Sequence, residues 1–552
     1  MSQQSDSLRT NLKYEPQELK FGTSGRRGNV VDLTQLEIYI NVLAELEYLQ
    51  SLSSSEGGIV RGEEFFIGYD LRPSSTSFLD EHGGCGEIAQ AAVAAIQDAG
   101  MQPVNLGRIP TPALTFYALS RNKGSLMVTG SHIPFDRNGY KINTSKGELS
   151  KQQEAPIDAQ VRRVREKLYN ERLEHSRFDQ RGFLKAGHQD LPPECVEASP
   201  AWIERFTAFF AGASLRGQRL LLYEHSAVGR DLLAEILRRL GAEVITAGRS
   251  DTFVPIDTEN IDAVQLAAIQ ALADDAAKKH GPLFAVVSMD GDSDRPLILG
   301  VDPLTGRVRF FGGDLVGMLV AEYLKVDSVV VPVSCNDAID RGNLRQIVEP
   351  KTRIGSPFVI VGMKEALNKG KQRVCGWESN GGFLTGSDFE RNGAILKALP
   401  TRDAILPILG VLFAASRSGL SLIDLFGRLP KRSSRAALLK NFPRAVALKI
   451  LRRFSPRTAD IQKAELDEIR RQLGEFFKPE MGFGAIGNLD YTDGLRVIFD
   501  NGDVAHVRPS GNADELRIYA VADTQDRADA IASMGVAEPD GILRCMERAV
   551  AS

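Results

Sequence analysis

The chain has 552 residues, 43% hydrophobic and 25% charged, with a formal net charge of −4. That length exceeds what one core supports and predicts about three to four domains. The near-neutral balance gives no global attraction for nucleic acid or an acidic membrane surface, so any anionic ligand must be held by a local group of Arg and Lys. The five cysteines are scattered, with no Cys-x-x-Cys or Cys/His spacing, which supports neither a disulfide framework nor a zinc site. The polar start MSQQSDSLRTNLKYEPQ lacks an apolar signal core. The longest apolar run, Ala404–Ala415, contains Pro407 and is too short to span a bilayer; it reads as a buried helix capped by Thr401. A reduced, cytoplasmic setting is the expectation.

In chain order, residues 1–20 read as a loose arm. The loop FGTSGRRG, Phe21–Gly28, combines small residues that let a ligand approach backbone with two adjacent arginines, Arg26 and Arg27. Thr23 and Ser24 in it are candidate substrate contacts. A helix is expected over Leu33–Leu52, a strand at Phe65–Asp70 and polar loop over Leu71–Ser77. Helix then strand recur at AQAAVAAIQDAGMQPVNLG (residues 89–107), at DLLAEILRRLGAEVITAG (231–248) and from Gly313 to Val333. This internal echo predicts three α/β domains of related topology.

The stretch VTGSHIPFDRNGYK, Val128–Lys141, places Ser131 and His132 just after an apolar strand. Pro134 blocks an immediate helix, and Asn138-Gly139 reads as a turn. A serine exposed at a strand-to-loop junction suits a residue that a substrate must reach.

A buried-looking strand, FAVVS, delivers MDGDSDRP. Asp290, Asp292 and Asp294 within five residues repel unless a cation neutralises them, and oxygen-only ligands suit Mg²⁺. The calcium-loop pattern fails, because its sixth position from Asp290 is Arg295 and its twelfth is Val301. Arg295 makes sense if an anion lies beside the metal. Farther on, the basic loop Lys351–Ser356 contains Arg353. The loop WESNGGF carries Glu378 and Asn380, whose donors and acceptors suit sugar hydroxyls. Asp500–Asp503 signals a hairpin in a smaller last domain. There Arg508, Ser510, Gly511 and Asn512 form a glycine turn suited to phosphate, with Arg517 on the next strand.

The order and spacing of these loops resemble the α-D-phosphohexomutase superfamily from Phe21 to Tyr519, within it the phosphomannomutase/phosphoglucomutase branch. The resemblance rests on Ser-His-x-Pro with Asn-Gly-x-Lys, on DGDSDR and on RPSGN. Ile133 stands where many relatives carry Asn, and Glu-Ser-Asn-Gly where Glu-x-Ser-Gly is common. The resemblance implies three related α/β domains with mixed sheets plus a smaller C-terminal α+β domain around a central cleft. The divisions would be 1–194 with the phosphoserine loop, 195–304 with the metal loop, 305–432 with the sugar loop and 433–552 with the phosphate loop.

It further implies an isomerase of carbohydrate metabolism that interconverts hexose 6-phosphate and hexose 1-phosphate, of mannose or glucose. Ser131 would be the phosphoserine and an Mg²⁺ ligand with Asp290, Asp292 and Asp294. His132, Lys141, Arg27 and Arg295 would serve the reacting centre. Arg353, Glu378 and Asn380 would contact sugar, and Arg508, Ser510, Gly511, Asn512 and Arg517 the far phosphate. Hexose 1,6-bisphosphate would be the intermediate and activator. The partners would be small sugar phosphates, with neither nucleic acid nor membrane, in a monomer or dimer. Competing readings are a phosphoglucosamine mutase, a non-catalytic sugar-phosphate-binding homologue, and a phosphatase using the acidic loop, although metallophosphatases usually add His ligands.

Overall fold

A computed structural model describes residues 6–79, 85–259, 261–456, 463–510 and 514–551. The helix–glycine–strand echo takes the same shape twice. Helix Ile88–Asp98 turns at left-handed Gly100 into strand Gln102–Arg108, and helix Arg230–Arg239 turns at left-handed Gly241 into strand Glu243–Arg249. The third copy, helix Gly313–Leu324 and strand Ser328–Val330, turns at Lys325, with φ of 54°.

The chain divides into two compact units, Met1–Phe311 with Gly381–Ile423, and Gly312–Asn380 with Asp424–Ser552. The first contains two mixed sheets. One runs Arg26–Asn29, Arg137–Thr144, Ser125–Val128, Glu64–Tyr69, Gln102–Arg108, with Gly147–Glu148 beside the second of these. Its last three strands are parallel and its first pairings antiparallel. The other runs Glu243–Arg249, Arg219–His225, Ala285–Met289, Pro296–Val301, Val308–Phe310, parallel across the first three. In both, parallel strands linked by helices leave loops at the strand ends, where functional side chains are commonly held.

The second unit holds the parallel pair Ser328–Val330 and Val374–Trp377 beside helices Gly313–Leu324 and Ser356–Asn368. It also holds an antiparallel five-stranded sheet in the order Ser433–Lys440, Glu515–Ala522, Val504–Pro509, Leu495–Phe499, Ile486–Asp490. The hairpin expected at Asp500–Asp503 joins two of these strands.

Three local expectations are corrected. The arm is not loose over its described part: Leu8 is fully buried, its N–H donates to Glu171 O at 2.7 Å, and Leu173 N–H donates to Asp6 O at 2.9 Å. Asn138-Gly139 is no turn but lies inside strand Arg137–Thr144. The Asn138 amide donates to Ser74 and Ser75 hydroxyls, and a Cβ on Gly139 would meet Arg26 O at 2.0 Å. Thr401 is no cap. It lies in strand Leu399–Asp403 and donates to Glu148, while the Asp403 carboxylate accepts the Ile405 and Leu406 N–H groups that open helix Ile405–Ser418. The edge strand Ser433–Lys440 is paired over its whole length with Glu515–Ala522.

Helix Ile405–Ser418 is apolar on all faces and buried along most of its length. Removing one such aliphatic side chain from water contributes about 1.5–3 kcal/mol. That anchors the end of strand Leu399–Asp403, whose Arg402 enters the site described next.

Candidate active site

Strand Ser125–Val128 ends in a loop that is held from beneath by one buried arginine. The Arg72 guanidinium donates to four carbonyls, those of Ser131 (2.9 Å), Ile133 (2.5 Å), Pro134 (2.7 Å) and Arg137 (2.9 Å). It pairs with Asp70 at 3.3 Å and lies 3.8 Å from the centre of the Phe253 ring. Gly130 is required beside it, because a Cβ there would stand 2.7 Å from the guanidinium carbon. Thr129 donates to Asp70 at 2.8 Å and accepts the Ser131 N–H at 2.8 Å. This network holds Ser131 in a left-handed conformation, φ 57°, which is uncommon outside glycine and marks a loop fixed by its surroundings.

Ser131 is not exposed, as its loop position suggested; it is fully buried, because the acidic loop lies over it. Gly291 permits that approach, since a Cβ there would meet Ser131 O at 2.6 Å. The Ser131 hydroxyl donates to Asp290 Oδ2 at 2.8 Å and stands 3.4 Å from His132 Nδ1.

The strand Ala285–Met289 places Asp290, Asp292 and Asp294 on a turn, all buried, with ligand oxygens within 4.8 Å of one another. Asp290 Oδ1 accepts the N–H groups of Asp294 (3.1 Å) and Arg295 (3.2 Å). Asp292 Oδ2 accepts from Thr111 and Lys141, each at 2.6 Å. Asp294 Oδ2 accepts from Lys141 at 2.7 Å and from Arg402 at 2.9 and 3.1 Å. The opposite oxygens, Asp292 Oδ1 and Asp294 Oδ1, are buried without a hydrogen-bond partner. Unmatched buried carboxylate oxygens are costly, and an oxygen-liganded divalent cation resolves that cost. The donor set therefore fits a divalent metal.

The electrostatics separate the three acids. Burial, then repulsion from Asp292 and Asp294, lifts Asp290 well above the usual carboxylate range. Burial pushes Asp292 the same way, but the Lys141 ammonium, with Thr111 and Arg402, outweighs it and holds this acid well below the usual range. Asp294 is also depressed: burial opposes this, and Arg402 is the largest of the charges that bring it about. Burial, with Arg295 nearby, lowers Arg27 to about 10, and Arg27 Nε has no hydrogen-bond partner. Arginines this close to one another suit an incoming polyanion.

The first unit thus brings together Ser131, His132, Lys141, Arg27, Arg295 and the three acids; Thr23 and Ser24 lie partly buried just before Arg26. Arg26 has a different role from its neighbour. It is buried in ion pairs with Glu45 (2.7 Å) and Asp158 (2.9 Å) and donates to Leu19 O.

The second unit holds the remaining candidates. Glu378 and Asn380 are buried just past Trp377. Arg508 and Arg517 face each other across an antiparallel pair. Such like-charge pairing is unfavourable unless neutralised, and Asp493 (3.1 Å) and Glu515 (3.0 Å) each take one arginine. Asp493 also accepts the Ile354 N–H at 2.9 Å, which ties the loop carrying Arg353 to Arg508. The Arg353 guanidinium lies 5.0 Å from the Phe358 ring centre. Ser510 is buried, and its N–H donates to Glu515 O. Gly511 and Asn512 lie outside the described residues.

Asp70, Arg72, Thr111 and Arg402 escape sequence reasoning. Each sits in a segment with no motif of its own and reaches the site only through the fold.

A mixed α/β scaffold with a buried serine, a tri-aspartate cluster and surplus arginines defines an enzyme of phosphoryl chemistry with a divalent-metal site. Models of the phosphoglucomutase/phosphomannomutase family match in three parts: alpha/beta/alpha domain I over residues 18–168, alpha/beta/alpha domain III over 312–433, and the C-terminal domain over 457–537. A phosphomannomutase of Sinorhizobium fredii (strain NBRC 101917 / NGR234) is 37% identical over 94% of this chain and 98% of its own. One of Salmonella muenchen is 37% identical over 92% and 93%. The crystal structure of a phosphoglucomutase/phosphomannomutase family protein from Burkholderia thailandensis superposes with a TM-score of 0.62 at 17% identity, over 96% of this chain and 97% of that one. The chain belongs to the phosphoglucomutase/phosphomannomutase family of the α-D-phosphohexomutase superfamily and is a phosphohexomutase, an isomerase of hexose phosphates.

Proposed function

We propose that the enzyme interconverts the 6- and 1-phosphates of mannose or glucose, with Ser131 as the residue that carries the phosphoryl group. The observation that carries this reading is the Ser131 hydroxyl bonded to Asp290 within an acid cluster also held by Lys141. A serine hydroxyl is a weak nucleophile, so storing the phosphoryl on it beforehand divides the reaction into two easier transfers. The phosphoryl passes from Ser131 to the free hydroxyl of the hexose monophosphate. The resulting 1,6-bisphosphate turns over, and Ser131 recovers a phosphoryl from the other end. A trace of bisphosphate primes the enzyme.

Asp290, Asp292 and Asp294 hold one Mg²⁺, which when bound neutralises charge on the transferring phosphoryl. Lys141 lies close enough to Asp292 and Asp294 to exchange those partners for a phosphoryl oxygen or a substrate hydroxyl. Arg27 and Arg295 offset the phosphoryl charge, His132 steadies the Ser131 loop, and Thr23 and Ser24 approach the substrate. Glu378, Asn380 and Arg353 contact the sugar. Arg508, Ser510, Gly511, Asn512 and Arg517 hold the phosphate that does not react. The four segments 1–194, 195–304, 305–432 and 433–552 each supply one of these loops; the family models for domain I, domain III and the C-terminal domain support the first, third and fourth.

The mannose reading is supported by the two relatives above, both named phosphomannomutase. A coupled assay with mannose, glucose and glucosamine 1-phosphates, Mg²⁺ and a trace of bisphosphate tests it. Highest kcat/KM for mannose or glucose 1-phosphate is expected; a preference for the amino sugar overturns it.

A further inference from the structure

Arg402 belongs to no motif, yet it is one of the most buried charges in the first unit, 3% exposed. Its Nε and Nη2 both donate to the same oxygen, Asp294 Oδ2, at 3.1 and 2.9 Å. Its stem runs along Gly382, where a Cβ would stand 2.5 Å from Arg402 Cδ, so a glycine is needed for the side chain to pass. The strand that carries it, Leu399–Asp403, is fixed on one side by pairing with Phe383–Thr385 and at its end by Asp403, which opens helix Ile405–Ser418. A charge held this rigidly acts on its target by direction as well as by attraction.

With Lys141, Arg402 fills Asp294 Oδ2 with three N–H donors, while Oδ1 accepts no hydrogen bond among the described residues and lies 3.6 Å from the Arg295 Nε. We propose that Arg402 is a positioning residue for the metal site: by capturing Asp294 Oδ2 it fixes the carboxylate rotamer and presents Oδ1 as the single ligand oxygen. The inference rests on the metal-site reading of the three aspartates. Partners of this kind, one step removed from the metal, typically alter metal affinity by about tenfold to a hundredfold when lost.

Electrostatics alone predicts the opposite. Removing a cation next to the site lowers repulsion toward a divalent metal and tightens its binding. The sign of the effect therefore separates positioning from simple charge.

The test measures Mn²⁺ binding by electron paramagnetic resonance in the full chain and in Arg402→Met and Arg402→Lys, with thermal unfolding of each. Arg402→Lys keeps the charge but loses the fork, and it guards against a variant that fails to fold. The expected result is Mn²⁺ affinity weakened about tenfold or more in Arg402→Met and less in Arg402→Lys. The Mg²⁺ needed for half-maximal rate rises in parallel, while the sugar-phosphate KM at saturating Mg²⁺ stays within about twofold. Unchanged or tighter Mn²⁺ binding in a folded Arg402→Met protein, or in Arg402→Lys where Arg402→Met fails to fold, overturns this inference alone. A wild-type chain that binds no Mn²⁺ overturns it together with the metal-site reading.

Discussion

The Ser131 hydroxyl donates to Asp290 Oδ2 across 2.8 Å, which joins the loop of one sheet to the acidic turn of the next within the first unit. A phosphoryl group on Ser131 would bring negative charge against that carboxylate, so the phosphorylated state requires the nearby cations. Ser131→Ala removes the acceptor while leaving those cations in place. Turnover is expected to fall by about 10⁴-fold or more, with sugar-phosphate binding still measurable by calorimetry. Substantial mutase activity in that variant contradicts the account.

Arg72 is the structural counterpart of Ser131, since its four carbonyl bonds set the loop that presents the serine. Replacing it by Met leaves those carbonyls without their donor and Asp70 buried without its cation. Buried groups stripped of a charged partner cost about 3–5 kcal/mol. Denaturant unfolding of Arg72→Met is expected to show a loss of that order, together with a fall in kcat. A stability within about 0.5 kcal/mol of the parent would contradict the role assigned to it.

Trp377 precedes Glu378, and its indole occupies space that only a glycine leaves. A Cβ on Gly317 would meet the ring at 2.4 Å. Gly317→Ala is expected to cost about 1–3 kcal/mol by overpacking and to raise the sugar-phosphate KM, because the loop after Trp377 shifts. Wild-type stability and KM together would show that the indole has room to move.

Two buried histidines make stability depend on pH. His225 donates to Met289 O and His506 to Asp493 O; burial lowers each to about 4. Both are neutral when folded and have an ordinary value near 6.5 when unfolded. Between about pH 6.5 and pH 4 the unfolded chain takes up protons that the folded chain refuses. Their contribution is complete above the unfolded value and is lost as pH falls toward the folded one. Each costs about 1.4 kcal/mol per pH unit in that window. Buried acids with raised values, Asp314 and Asp403 at about 6, act in the opposite direction over this range, so the test compares the slope of urea unfolding from pH 7 to pH 4.5 between parent and variant. His506→Gln keeps a donor but cannot titrate, so it should reduce the slope by about one proton; an unchanged slope would exclude His506 as a source.

The parts of the site legible in the sequence were those compressed into short motifs. Three alternating aspartates after a β run point to a cation site, because carboxylates this close in sequence repel unless positive charge lies among them. The helix–turn–strand echo was legible because its punctuation is local. Arg72 was hidden in a stretch that read as polar loop, since nothing near it in sequence indicates four distant carbonyls. Arg402 looked like part of a helix start for the same reason. The burial of Ser131 depends on the acidic loop about 160 residues away and has no local signature. Asn138-Gly139 has turn chemistry, but the hydroxyls of Ser74 and Ser75 and the close pass of Arg26 outweigh it.

The most direct test of the central claim is a phosphate map of the active enzyme. The protein is incubated with Mg²⁺ and hexose 1,6-bisphosphate, shown to turn over, and digested for mass-resolved peptide analysis. The account predicts one phosphoryl group, on Ser131, in the working enzyme. Full activity with Ser131 unmodified, or with the phosphoryl on another residue, would contradict it.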